Sequence, residues 1–244
     1  MIVIPAIDLL DGKAVRLHQG KYDEVTVFHD DPPRLAAELA ARVRRLHVVD
    51  LEGARRGALA QEGLVREVVA AFSAGGGEVQ VGGGVRTREH VEGYLAAGAR
   101  WVVLGTAAVR TPELVREIAR AHPDTVIIAV DAKDGLVATD GWLEVSTKRA
   151  DALVRELADA PLGGVLYTDI ARDGTGVGPN VEATIELSRG APFPVIASGG
   201  VGNADHIREL AARGAYAAIV GRALYDGRLS LDDALLAAQT TARP

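Results

Sequence analysis

The chain contains no cysteine, so a thiol nucleophile, a thiolate metal site and any disulfide are excluded at once. It has no apolar run longer than a strand and no basic, apolar leader ahead of its first strand. Both features argue against a membrane span or a secretion signal, and the cytoplasm is the expected compartment. No Lys/Arg block occurs in a chain of formal net charge −6. That leaves no footprint for nucleic acid, and positive charge aimed at an anionic ligand has to be local. The patterns Gly-x-Ser-x-Gly and Gly-x-Gly-x-x-Gly are absent, and no His/Asp/Glu spacing suggests a metal. A nucleophilic serine, a dinucleotide and a metal therefore lack positive support, and no cofactor is expected.

What is present is core material. Of 244 residues 48% are apolar and 25% charged, which suits one globular domain of the size of an eight-stranded α/β barrel. Apolar runs at residues 1–8, 46–51, 79–82, 101–105, 125–131 and 165–170 read as strands buried on both faces. Two more follow, around Ile196-Ala-Ser198 and Ala218-Ile-Val220, each ending in glycine. Between them lie helical segments at residues 30–43, 59–74, 87–97, 111–121 and 147–158, with Thr87 and Ser230 as N-caps and Gly98 as a stop. Strands that alternate with helices and are uniformly apolar imply a parallel sheet, and eight βα units close most economically into a (βα)8 barrel, with an open doubly wound sheet as the runner-up. The connection after strand five, residues 132–142, contains Asp134-Gly135 and Asp140-Gly141, read as turns of a short hairpin. No matching insertion of that length and composition is expected after strand one.

The chain also repeats itself. Gly83, Gly84, Val85, His90, Gly98, Ala99, Gly105 and Ala107 recur as Gly199, Gly200, Val201, His206, Gly214, Ala215, Gly221 and Ala223, each pair 116 positions apart, as Gly83 and Gly199 are. A constant offset over a strand, a helix and another strand argues for a duplication, with half-barrels at about residues 1–122 and 123–244.

In a barrel the C-terminal strand ends carry the chemistry. Asp8 and Asp131 stand there on opposite strands. The glycine pairs Gly83/Gly84 with Gly105/Thr106, and Gly199/Gly200 with Gly221, lie a quarter turn away, each accompanied by an arginine, Arg86 or Arg222. Glycine at a strand end can merely permit a turn, but the repeated spacing favours phosphate binding by backbone N–H groups. This layout expects an elongated ligand with an anion at each end and its reacting centre between two carboxylates, which suits proton transfer in a sugar-phosphate isomerisation. The glycine-rich loop at residues 171–180, with Gly176, reads as an active-site loop. Several residues stay open between roles: Asp50 and Asp169 as caps or functional groups, His47 as a core histidine or a ligand contact, Thr168 likewise, and Trp142 as rim packing or a cover. His90 and His206 lie on outer helices and read as structural.

These residues resemble a known family along the whole chain. Ile4-Pro-Ala-Ile-Asp-Leu-Leu-Asp-Gly-Lys-Ala-Val-Arg-Leu-His-Gln-Gly20, His47-Val-Val-Asp-Leu51, Gln80-Val-Gly-Gly-Gly-Val-Arg86, Thr168-Asp-Ile-Ala-Arg-Asp-Gly-Thr175 and Ala197-Ser-Gly-Gly-Val201 are similar to the phosphoribosylformimino-5-aminoimidazole carboxamide ribotide isomerases of histidine biosynthesis. The resemblance implies a cofactor-free Amadori rearrangement of an aminoaldose bisphosphate to an aminoketose, with Asp8 as proton acceptor, Asp131 as proton donor, His47 and Thr168 in contact with substrate and Trp142 over it. A monomer acting on a small-molecule bisphosphate is expected. The chain departs from the family pattern after Gly57, where an asparagine is common and Ala60-Gln61 stand here. Three other readings remain: the related cyclase subunit of imidazole glycerol phosphate synthase, whose first strand normally reads Pro-Cys-Leu-Asp where this chain has Pro5-Ala-Ile-Asp8; a dual isomerase that also takes phosphoribosylanthranilate; and a catalytically silent phosphate-binding barrel.

Overall fold

A computed structural model describes residues 1–18 and 21–240; Gln19 and Gly20, at the end of the first family-like motif, lie outside the described residues. In chain order, β1 (Ile2–Leu10), β2 (Lys13–His18) and β3 (Lys21–His29) precede α1 (Pro32–Ala40), β4 (Arg45–Asp50), α2 (Leu51–Arg56) and α3 (Glu62–Ala74). Then come β5 (Glu78–Gly82), α4 (Arg88–Ala96), β6 (Trp101–Leu104), α5 (Thr106–Arg110), α6 (Pro112–Ala121) and β7 (Val126–Lys133). These are followed by β8 (Leu136–Thr139), β9 (Glu144–Arg149), α7 (Ala150–Glu156), β10 (Gly164–Asp169), α8 (Val181–Gly190), β11 (Val195–Ser198), α9 (Ala204–Ala212), β12 (Ala217–Val220), α10 (Arg222–Tyr225) and α11 (Leu231–Ala237).

Eight of these strands pair in parallel in the order β1-β4-β5-β6-β7-β10-β11-β12, and β12 pairs back onto β1. The ring is closed, so the barrel expectation holds and the open sheet does not. Closure leaves no unpaired edge among these strands. Each strand buries two faces. Outward residues such as Val48, Val81 and Ile128 pack under the helices, and the inward set of Ile4, Val103, Ile127, Leu166, Ile196 and Ile219 fills the barrel. A fully buried side chain of this size contributes about 1.5–3 kcal/mol, so a charge at Ile127, which is 0% exposed, would unseat the ring. Towards the C-terminal end the inward positions become small or polar: Gly82, Gly105, Ala129, Ser198 and Gly221. Bulk below and small residues above make a solid barrel with an open floor at its mouth.

The expected helices at residues 30–43, 87–97 and 111–121 begin within two residues of those positions, that at 59–74 begins only at Glu62, and the short helices α2, α5 and α10 were not expected. Asp31, Thr87, Asn203 and Ser230 accept backbone N–H bonds as N-caps, each satisfying a donor the first turn leaves orphaned. Two readings need correction. Residues 147–149 belong to β9, and α7 begins only at Ala150. More important, β1 does carry an insertion matching that after β7. Asp11-Gly12, at φ 48° and 77°, turns β1 into antiparallel β2, just as Asp134-Gly135, at φ 51° and 79°, turns β7 into antiparallel β8. Positive φ at both central residues gives the two-residue turn whose twist suits a hairpin. The Asp-Gly signal was present in both places, and the polar content of Lys13-Ala-Val-Arg16 hid the first.

Candidate active site

The two hairpins deliver side chains over the ends of their own strands. In the first, Asp8 pairs with Val15 across the antiparallel ladder, and the next residue, Arg16, places Nη1 2.6 Å from Asp8 Oδ2. Arg16 is only 6% exposed. It also donates to the carbonyls of Val15 and Ala6 and lies 4.8 Å over the Tyr225 ring. In the second hairpin Asp140, Gly141 and Trp142 all have positive φ, 54°, 66° and 71°, and the chain folds back so that Trp142 Nε1 donates to Asp131 Oδ2 at 2.9 Å. A bulky residue in left-handed backbone is strained and persists only when its surroundings dictate it. Burial pushes the Asp131 carboxyl above its usual range, and bonds from the Trp142 indole and the Thr168 hydroxyl draw it partly back.

The glycine cradles are built alike on both sides. Gly83 and Gly84 have φ 101° and 72°, and Gly199 and Gly200 have φ 83° and 85°. A Cβ at Gly83 would strike the Asp50 carbonyl, and one at Gly199 the Asp169 carbonyl, so both conformation and close approach demand glycine. Gly105 and Gly221 cap the short helices α5 and α10 without any side-chain bond to the first turn, which leaves their N-terminal N–H groups for another acceptor. Arg86 reaches Asp140 at 2.7 Å, and Arg222 donates to the Gly174 carbonyl at 3.1 Å.

The residues left open in the sequence now separate. Asp50 is 0% exposed and accepts from the backbone N–H groups of Gly53, Ala60 and Gln61. Asp169 accepts from Ala171 N and Asn180 Nδ2. Both hold loops, and neither lines the mouth. His90 accepts from Arg86 N and His206 from Gly202 N, so the outer-helix histidines brace the turns behind the cradles. Gln61 accepts from Gly12 N at 2.8 Å and is not at the mouth. His47 lines the mouth and is 7% exposed; burial, with Arg16 and Arg45 nearby, pushes its imidazole down to about 3.

A cavity of about 270 Å³ is lined by every residue proposed from the sequence: Asp8, His47, Gly83, Gly84, Arg86, Gly105, Thr106, Asp131, Trp142, Thr168, Gly176, Gly199, Gly200, Gly221 and Arg222. Sequence reasoning missed Arg16, Asp173 and Arg228, which line it too. Asp173, in the glycine-rich loop, is pushed up to about 6 by burial and by the charge of Asp8, an effect Arg16 opposes and Asp131 adds to. Its signal was its place inside Arg172-Asp-Gly-Thr175, read there as motif and not as chemistry.

A closed (βα)8 barrel with carboxylates on opposite strands of its C-terminal mouth and a glycine cradle on either side belongs to the class of barrel enzymes that work on ligands at the strand ends. Within that class the chain belongs to the histidine biosynthesis protein family, whose model matches residues 2–230. A protein of Sorangium cellulosum is 58% identical over 239 residues, covering 98% of this chain and 99% of its own. One of Hahella chejuensis is 50% identical over 238 residues, covering 96% and 97%. Each bears the name 1-(5-phosphoribosyl)-5-((5-phosphoribosylamino)methylideneamino)imidazole-4-carboxamide isomerase.

Proposed function

We infer that this chain is an aldose–ketose isomerase of histidine biosynthesis, converting the aminoaldose ribosyl phosphate of that bisphosphate to the aminoketose by an Amadori rearrangement. Among the observations that support this reading, one carries it: two carboxylates on opposite strands between two glycine cradles fit a molecule with a phosphoribosyl group at each end. The acid gives a proton to the ribose ring oxygen, the ring opens, and a Schiff base forms at C1. The base takes the C2 proton to give an enolamine; C1 is then protonated, the C2 hydroxyl gives up its proton, and the ketone results. Asp8, ion-paired with Arg16, is the proton acceptor. Asp131, raised by burial and without a cation against it, is the donor. Thr168 and Trp142 orient Asp131, the cradles with Arg86 and Arg222 take the phosphates, and Gly176 shapes the loop that closes one end.

A specific observation favours a second acid. Asp173 lines the cavity, and burial with the charge of Asp8 pushes its carboxyl up to about 6, the direction a general acid needs. The pH profile of Asp173→Asn separates the two assignments.

The barrel is read as two fused halves, residues 1–122 and 123–244, on the strength of the 116-position repeat and the two Asp-Gly hairpins. A cytoplasmic monomer fits a biosynthetic enzyme in which no described helix is long and apolar enough to cross a membrane. Assay with the bisphosphate and with phosphoribosylanthranilate tests the reading. Turnover of the first is expected; absence of turnover with tight binding would leave a silent phosphate-binding barrel, and cyclase activity with ammonia would reassign the chain.

A further inference from the structure

Below its mouth, the barrel interior is apolar among the described residues except along one strip. Opposite Leu166, Ile196 and Ile219, the neighbouring strands β4 and β5 point Arg45, His47 and Gln80 inward, at 4, 7 and 0% exposure. His47 and Gln80 are register partners. Polar groups in such a place are costly unless they are bonded, and these are bonded in series, with Arg45 Nη2 left without a hydrogen-bond partner. The Arg45 guanidinium lies 3.7 Å over the Trp101 ring, Arg45 Nε donates to Gln80 Oε1 at 2.8 Å, and Gln80 Nε2 stands 2.8 Å from His47 Nδ1.

The proton positions follow from chemistry. Arginine can only donate, so the amide oxygen of Gln80 must face Arg45; a flipped amide would set N–H against N–H. The amide nitrogen therefore faces His47 and donates, so Nδ1 accepts and carries no proton. The imidazole proton is then on Nε2, the ring nitrogen remaining for the cavity that His47 lines. A cationic ring would turn Nδ1–H into the Gln80 amide N–H, in keeping with an imidazole pushed down to about 3 by burial and the charges of Arg16 and Arg45.

We propose that Arg45 and Gln80 are positioning residues that lock His47 as the neutral Nε2–H tautomer, so that it offers a substrate oxygen a hydrogen-bond donor without placing a second cation beside Asp8. The inference rests on the bisphosphate reading only for its kinetic consequence. The strip also explains why the core gives up apolar packing at three adjacent inward positions: fixing one proton needs a chain of groups with unambiguous donor and acceptor ends.

Two-bond ¹H–¹⁵N NMR of histidine-labelled protein reads the tautomer directly, and wild-type His47 should be protonated at Nε2 alone near pH 7. In Gln80→Glu the donor facing Nδ1 is gone and an acceptor replaces it, so the proton should move to Nδ1 or the ring become cationic. Gln80→Met, which removes the bond at similar volume, should give a tautomer mixture. kcat/KM on the bisphosphate should fall about 10-fold or more in Gln80→Glu, chiefly through kcat, with the melting temperature within a few degrees. On a His47→Gln background the same change should cost little further. An Nδ1–H signal in the wild type, or a wild-type tautomer persisting in both Gln80 variants, overturns the lock. An inverted tautomer with unchanged kinetics overturns its role in the reaction. Should the wild type fail to turn over the bisphosphate at all, the functional reading falls while the NMR still decides the lock.

Discussion

The hairpins after β1 and β7 start from the same sequence device and end in opposite electrostatics. Each leaves its strand through an Asp-Gly turn and doubles back over a strand-end aspartate. The first brings the buried cation of Arg16 to Asp8; the second brings the indole N–H of Trp142 to Asp131. A carboxylate with a cation against it is placed to accept a proton, and one raised by burial and held by neutral donors is placed to give one. Similar backbone at two points of the ring thus gives the two carboxylates unlike neighbours, and the difference lies in which side chain the returning segment delivers, Arg16 from β2 and Trp142 from the turn after β8.

The most direct way to break this comparison is to remove the carboxylates. Asp8→Asn and Asp131→Asn should each lower kcat by on the order of 10²-fold or more with the fold intact by circular dichroism. Near-wild-type turnover in either would strip that residue of its role. Exchanging the delivered groups comes next. Arg16→Met leaves Asp8 without its ion partner and should cost up to about 3 kcal/mol in denaturant unfolding, at the low end for a broken buried pair because Asp8 faces the cavity. It should also depress kcat/KM, whereas an unchanged unfolding midpoint would show the pair to be dispensable. Trp142→Phe keeps the ring and removes the donor. Because that bond lowers the Asp131 carboxyl, its loss should raise it further and move any limb of the kcat profile that Asp131 controls to higher pH. Trp142→Ala should in addition raise KM while leaving the melting temperature nearly unchanged; a large fall in melting temperature with normal kinetics would make the residue a structural brace.

The smallest effects are titrations. If Asp173 is the acid, kcat/KM falls as pH rises through about 6, and Asp173→Asn abolishes that limb; a limb that survives returns the role to Asp131. The linked stabilities have opposite signs. Asp173, raised from 3.8 to about 6, makes the folded state bind more protons between those values, so its contribution to stability declines as pH rises through that window. His47, lowered from 6.5 to about 3, makes the unfolded state bind more, so its contribution declines as pH falls from 6.5 towards 3. Each limb has a maximal slope of about 1.4 kcal/mol per pH unit, and urea titrations of Asp173→Asn and His47→Gln should each lack the corresponding limb.

Much of this was legible in one dimension because it depends on local chemistry. Strand period, helix caps such as Thr87 and Ser230, the glycines repeated at 116 positions and aspartates at strand ends are properties of a few adjacent residues. Together they predicted a closed barrel and the residues that line its mouth. The roles that neighbours impose were not legible. Asp50 and Asp169 looked like Asp8, and only burial beneath the cradle loops makes them backbone anchors. Arg16 stood in the sequence only as part of a motif until a ladder set it against Asp8, and Asp173 only as part of a glycine-rich loop until packing put it within reach of two other carboxylates. Sequence by itself determined which groups this protein owns and which strands carry them, since periodicity and turn chemistry act over a few residues. Tertiary structure alone decided which carboxylate meets a cation, which meets an indole and which ring nitrogen of His47 faces the cavity, because electric fields and donor–acceptor directions depend on distances across the ring that no spacing along the chain encodes.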